Sequence, residues 1–140
     1  MIKELFTDLI NKISTVTDLT DRVGACVGGT EADPTMSEAP VPFAWVVFGG
    51  SQPDIEVEGG KKYHITRYNF AVNVVIEYGT AEADFLDTIT ILEDAHKAVV
   101  GTEINGFTGL WECSGVELRD ISPTRMTYQL TFYAAGFHKN

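Results

Sequence analysis

The histidines and one cysteine-containing turn are the residues of this chain whose types best suit catalysis or metal binding. His64, His96 and His138 show no H-x-x-x-H spacing and no neighbouring cysteine pair, so the fold alone would have to assemble a zinc or iron site. His96 follows Leu92 by one helical turn, which favours a packed histidine with one satisfied nitrogen over a general base. Cys113 opens a Cys-Ser-Gly turn without the G-x-S-x-G frame of a nucleophile elbow. These residues predict neither a metal site nor a nucleophile.

Two loop-like segments partly match ligand-binding patterns. Residues 59–62, Gly-Gly-Lys-Lys, are similar to the end of a phosphate-binding loop, but residue 55 is Ile rather than Gly and no Ser or Thr follows the lysines. The segment is better interpreted as a hairpin tip. The acid-rich residues 31–38 lack the D-x-[DN]-x-[DN]-G frame of a calcium loop. Most other carboxylates fall in predicted loops or on a polar helix face, so no acid–base pair stands out. We therefore expect no catalytic activity, cofactor or bound metal.

Composition narrows the class of protein further. The chain has 140 residues, the usual size of one domain, which we expect to span residues 1–140. Its net charge of -10 argues against the positive surface that sequence-specific DNA binding needs. No apolar stretch approaches the roughly 20 residues of a membrane span, and acids interrupt the N-terminal segment, unlike a signal peptide. Cys26 and Cys113 are better interpreted as free thiols in a reducing cytoplasm, although a disulfide between them is open.

Hydrophobic periodicity predicts an α+β domain with a mainly antiparallel sheet of about four strands and two helices packed on it. The predicted helices cover residues 1–14 and 80–100, with Asp8 and Lys12 paired in the first and Thr80 as N-cap of the second. The predicted strands cover residues 41–48, 63–78, 110–121 and 126–134, and residues 23–27 favour a further short strand. Residues 30–42, 51–62 and 122–124 are predicted connections.

Two strands carry additional information. Strand 63–78 is long, about 50 Å at ~3.3 Å per residue, so part of it is expected to project beyond the domain. Its residues Ala71, Asn73 and Val75 form a small mixed face that could meet either solvent or another subunit. In strand 110–121 the apolar parity changes at Ser114-Gly115, which predicts a glycine bulge.

In this order of elements the chain resembles the tail terminator, or tail completion, proteins of long-tailed bacteriophages. The resemblance covers most of the chain and rests on six features of the sequence. They are the starting helix over residues 2–13, Arg22-Val23, the proline-bounded strand 40–47, the alternating strand 67–78, the helical stripe Phe85, Leu86, Ile89 and Leu92, and the closing segment 128–132.

The resemblance implies a structural protein rather than an enzyme. It implies a homo-hexameric ring that caps the tail tube, ends tube polymerisation and contacts the head–tail connector protein, with DNA passing through an acidic lumen without specific binding. It also implies a place in the tail–neck region of the virion, after assembly in the host cytoplasm, with no membrane contact. The hairpin between the two long strands is the predicted element for contact with the tube or a neighbour: Asp54, Ile55, Glu56, Val57, Glu58, Lys61 and Lys62.

Three alternatives stay open from the sequence. The chain could be another phage neck or tail-assembly protein, since such proteins share similar patterns. It could be a small-ligand-binding α+β domain, which would need a concave apolar pocket. It could also be an enzyme whose site is shared between subunits.

Overall fold

In the computed structural model, two helices and a five-stranded sheet are built from the described residues 2–26, 41–77, 82–121 and 125–136. The helices are α1 (Ile2–Ile13) and α2 (Glu82–Val99), and a 3-10 turn covers Thr17–Leu19. The strands are β1 (Val23–Cys26), β2 (Phe43–Glu58), β3 (Lys61–Glu77), β4 (Trp111–Ile121) and β5 (Arg125–Gly136). Neither helix of this described part is long and apolar enough to cross a membrane.

The predicted α+β class is confirmed, and the strand number is corrected from about four to five. The strand order is β1-β2-β3-β5-β4. All neighbouring pairs are antiparallel except β1–β2, which is parallel and begins at Val23↔Ala44. The fifth strand is the short segment after Arg22, whose carbonyl accepts a hydrogen bond from the Ala44 amide at 2.9 Å. The predicted connections at 30–40 and 122–124 and the N-cap Thr80 lie outside the described residues.

The core lies between the helices and one face of the sheet. Leu5, Leu9 and Ile13 are buried along α1, as the helical spacing predicts. Alternate residues of the central strand face them, and the Phe70 ring lies at the middle of an aromatic cluster. Its centroid is 5.5 Å from Phe6 of α1, and the cluster also includes Phe48 of β2 and Trp111 of β4. One aromatic cluster thus joins the first helix to three strands.

Strand β4 contains the predicted bulge and a second one. The pairing with β5 shifts between Cys113 and Gly115, as the change of apolar parity indicates, and shifts again between Leu118 and Asp120. The first bulge keeps Val116, which pairs with Leu130, on the same face as Trp111. The second bulge was not predicted, although the apolar residues on either side of it, Leu118 and Ile121, also differ in parity.

The predicted hairpin tip over residues 51–62 is wrong in extent, since the strands continue almost to its end. β2 runs to Glu58 and β3 begins at Lys61, so only Gly59 and Gly60 form the turn. Both glycines have positive φ, 58° and 78°, as a type I′ hairpin requires. Acidic and aliphatic residues do alternate in the segment Asp-Ile-Glu-Val-Glu before the turn. Its polar composition and Pro53, however, favoured a loop over a strand.

The irregular segment between α2 and β4 closes the core. Gly101 (φ 77°) follows the helix end. Ile104 and Phe107 are buried although they lie in no strand or helix. Gly109 packs directly against the β5 backbone, because a Cβ built there would overlap the Ala135 carbonyl oxygen.

We expect Gly109→Ala to lower the free energy of unfolding by about 1–3 kcal/mol, because the strand backbone must shift to admit the methyl group. The matched control is Gly24→Ala, where the added Cβ meets nothing within 4 Å. Urea denaturation of both variants is the measurement. Equal midpoints for the two would contradict the close contact.

Candidate functional site

The most distinctive surface is a two-stranded ribbon that extends past the rest of the sheet. β5 pairs with β3 only from Thr66↔Gly136 onward. Among the described strands, residues 54–58 and 61–65 therefore pair only with each other, from Asp54↔Ile65 to Glu58↔Lys61. These five pairs add about 17 Å at ~3.4 Å per residue. We call residues 54–65 the ribbon. The predicted projection of the long hairpin is confirmed.

The two faces of the ribbon differ in chemistry. On the face that continues the helix-bearing side of the sheet, Ile55 lies opposite His64 and Val57 opposite Lys62. Ile55 and Val57 are 55% and 64% exposed, which is unusual for aliphatic side chains in a strand. The other face carries the carboxylates of Asp54, Glu56 and Glu58, opposite Ile65, Tyr63 and Lys61.

All seven residues predicted for assembly contact thus lie in the ribbon, but the register divides them between its two faces. Ile55, Val57 and Lys62 share the apolar face, and Asp54, Glu56, Glu58 and Lys61 share the acidic face. A partner that packs on one face therefore contacts one of these sets and not the other.

A second exposed apolar surface lies between α2 and the edge strand β4. Here a groove of about 410 Å³ is lined by Leu92, Glu93, His96, Lys97 and Val116. Val116 is 49% exposed, and Leu118 and Ile121 further along β4 are exposed as well. Leu86, also exposed, lies two turns before Glu93 on the same side of α2. We call this surface the α2–β4 groove.

The side chains of β4 become less buried along the strand, and the groove lies where they are exposed. Trp111, at the start of the strand, is fully buried, and Cys113 is half-buried. Beyond the first bulge the strand keeps its apolar residues on the helix-bearing face, but they are no longer covered. The parity of the sequence correctly predicts the face of Val116 and Leu118. It contains no information on whether a helix covers them, so the groove was missed.

The residues singled out for chemistry lie apart from one another. His64 is exposed on the ribbon and His96 is exposed at the groove, so the interpretation of His96 as a packed histidine is wrong. Cys113 has a free thiol whose Sγ lies 3.5 Å from the Gly115 carbonyl oxygen, at the bulge. His138 and the acid-rich loop 31–38 lie outside the described residues. Within the described part of the chain, no three His, Cys, Asp or Glu side chains lie close enough together to hold a metal ion.

The side chains on the sheet face without helices mostly contact other residues of the same chain. Of the face predicted to meet either solvent or another subunit, Asn73 and Val75 are buried and Ala71 is half-buried. Asn73 accepts a hydrogen bond from the Gln129 amide at 3.3 Å. The Arg67 guanidinium lies 3.7 Å from the Tyr133 ring centroid on the same face. Apart from Ile2 and Leu110, the large exposed apolar side chains of the described residues are on the ribbon and at the α2–β4 groove.

Comparison with known proteins gives a likeness among solved structures, and none among family models or curated proteins. No protein-family model matches the sequence. No curated protein matches it either. Among solved structures, the chain is similar to a chain in the virion of a native gene transfer agent particle, with 15% identity and a TM-score of 0.49. The match covers 96% of this chain and 90% of that chain. At this similarity the function has to be argued from the surfaces of this chain.

Proposed function

We propose that this chain is a structural subunit of a phage-type tail, a tail terminator that acts by self-assembly rather than catalysis. The observation that carries the proposal is the ribbon, with two aliphatic side chains more than half exposed on an element that projects from the domain. Exposed contiguous apolar surface on a projecting element is typical of interaction sites. The core cluster of the described residues contains no ribbon residue, so we expect the domain to fold without the ribbon.

The proposed assembly is a homo-hexameric ring. Subunits in a ring present two different surfaces to their neighbours, because the contact is head-to-tail. This chain has two separate exposed apolar surfaces, the ribbon and the α2–β4 groove. The ring would cap the tail tube, end its polymerisation and contact the connector protein of the head, in the tail–neck region of a virion assembled in the host cytoplasm.

The acidic charge suits a ring through which DNA passes. With 20 acids and 10 bases, the subunit repels the phosphate backbone instead of binding it. The carboxylates of Asp54, Glu56 and Glu58 alternate along one face of the ribbon. They are the described residues that we place nearest the lumen.

The first test is the solution mass of the purified protein by light scattering, across a range of concentration and salt. We expect a mass close to six times the 15.4 kDa of the subunit, because the two exposed apolar surfaces of every subunit are both buried only when the ring closes. The second measurement is elongation of purified tail-tube protein, which the ring should stop. Rings that leave elongation unchanged would contradict the terminator role and favour another neck or tail-assembly protein.

One observation favours a second candidate, a small-ligand-binding domain. The α2–β4 groove has the volume of a small-molecule site and an apolar floor. In that case the protein would stay monomeric at every concentration, and an apolar ligand would raise its melting temperature.

A further inference from the structure

The exposed aliphatic side chains of the described residues are concentrated on two surfaces. One group is on the apolar face of the ribbon and the other is at the α2–β4 groove. The second group consists of Leu86, Val116, Leu118 and Ile121. Both surfaces lie on the helix-bearing side of the sheet, because Ile55 continues the row of Tyr68 and Phe70, and Val116 pairs with Leu130.

The two surfaces are opposite in shape. The ribbon is convex, since its residues 54–65 extend past the other strands. The groove is concave, with a volume of about 410 Å³, which is in the range of pockets that enclose small ligands. It therefore has room for aliphatic side chains of the size of Ile55 and Val57.

The charges beside these surfaces are also complementary. Lys62 lies opposite Val57 on the apolar face of the ribbon, and Glu93 lines the groove. The apolar face of the ribbon thus offers a positive charge to a negative charge of the groove, an arrangement that fixes orientation at a polar rim.

The two surfaces of one molecule cannot meet. In the sheet, Val116 lies in register with Leu130 and Val72, whereas Ile55 lies in register with His64. Val72 and His64 are eight residues apart along β3, about 26 Å at ~3.3 Å per residue. The ribbon also points away from the groove, because it extends beyond the opposite end of β5.

We propose that the ribbon of one subunit packs into the α2–β4 groove of a second copy of this chain, with Ile55 and Val57 against Leu92 and Val116. This proposal rests on the proposed ring and identifies its subunit contact. The contact is head-to-tail, since each subunit gives its ribbon to one neighbour and receives the ribbon of the other. It covers the exposed apolar side chains of β4 that α2 leaves uncovered.

The test uses one variant for each surface, Val57→Asp for the ribbon and Val116→Asp for the groove. Both side chains are exposed, so both variants are expected to fold with melting temperatures near that of the wild type. A buried unpaired carboxylate is costly at an apolar contact. We therefore expect each variant alone to be monomeric at concentrations where the wild type assembles, with self-association at least 100-fold weaker.

Mixing the two variants is the decisive measurement. The Val116→Asp protein has an intact ribbon and the Val57→Asp protein has an intact groove, so an equimolar mixture should form a dimer and nothing larger. The control is Gln52→Asp, which adds the same charge at an exposed position on the other face of the hairpin and should assemble like the wild type.

Other outcomes would overturn the proposal in distinguishable ways. Wild-type assembly by the Val116→Asp protein would show that the groove is not the contact, while tube capping by that protein would leave the terminator role intact. A dimer of the Val116→Asp protein alone would indicate a ribbon-to-ribbon contact instead. A wild-type protein that stays monomeric would exclude this contact, and the tube-elongation assay would then decide separately on the terminator role.

Discussion

Replacing Trp111 with alanine is expected to lower the free energy of unfolding by about 3–5 kcal/mol, the usual cost of removing a buried tryptophan from a core. Trp111 is fully buried, and its ring centroid lies 5.6 Å from that of Phe70 in an edge-to-face contact. The backbone is fixed on both sides, because the Trp111 amide donates to Thr102 and its carbonyl accepts from Gly101. The backbone around position 111 therefore cannot move inward to fill the cavity that the alanine substitution leaves.

The indole nitrogen adds a polar component to this cost. Trp111 Nε1 donates a hydrogen bond to Asp8 Oδ2 at 2.8 Å, and the same carboxylate oxygen accepts from Lys12 Nζ. Trp111→Phe keeps most of the ring but loses the hydrogen bond, so we expect it to cost about 1–2 kcal/mol. Urea denaturation of both variants measures the difference. If Trp111→Ala cost less than Trp111→Phe, the described packing would be wrong.

Elements with a clear apolar period could be predicted from the sequence. The apolar stripe predicted for α1 includes its three buried residues, although one member, Ile2, is exposed; the full stripe is Ile2, Leu5, Phe6, Leu9, Ile10 and Ile13. The spacing of Asp8 and Lys12 predicts their ion pair, which is present. The parity change in β4 predicts a bulge at Ser114-Gly115, which is also present. In each case the residues themselves alternate between a buried and a solvated side, so the period reports the local structure directly.

The surfaces could be predicted only in part, for a physical reason. Apart from Ile65 at its base, the ribbon has no buried side chain, so its alternation of acid and aliphatic residues does not look like a core strand. Even so, Ile55 and Val57 between three acids provided a usable pattern. The α2–β4 groove has no comparable pattern in the sequence, because its openness depends on how α2 packs over β4. That packing is a tertiary property, which is also why the sequence did not predict the exposure of His96.

The two surfaces together explain why a chain with an ordinary core leaves this much aliphatic area exposed. Burying the ribbon within the chain would require it to fold back over the sheet. The type I′ turn and the continuous pairing of β2 with β3 prevent this. The hydrophobic gain is available only between molecules. Stability of the subunit and assembly of the ring are therefore separate properties, which a variant can change independently.

A shortened ribbon is expected to abolish assembly while leaving the domain folded. The variant lacks residues 55–58 and 61–64, so that Asp54 and Ile65, which already pair, are joined directly by Gly59-Gly60. An even number of residue pairs is removed, which keeps the register and the turn type. All eight deleted residues are exposed, so we expect the melting temperature to stay within a few degrees of that of the wild type. Light scattering should then give a monomer.

The control keeps the ribbon length and changes only its acidic face, by Glu56→Gln and Glu58→Gln. These residues lie on the face away from Ile55 and Val57, so the control should still assemble, because the apolar contact is unchanged. Its weaker negative charge should instead raise the affinity for DNA at low salt. Wild-type mass and full capping of tail tubes by the shortened protein would show that the ribbon takes no part in the ring. Loss of assembly in the shortened protein alone would assign self-association to the apolar face of this hairpin.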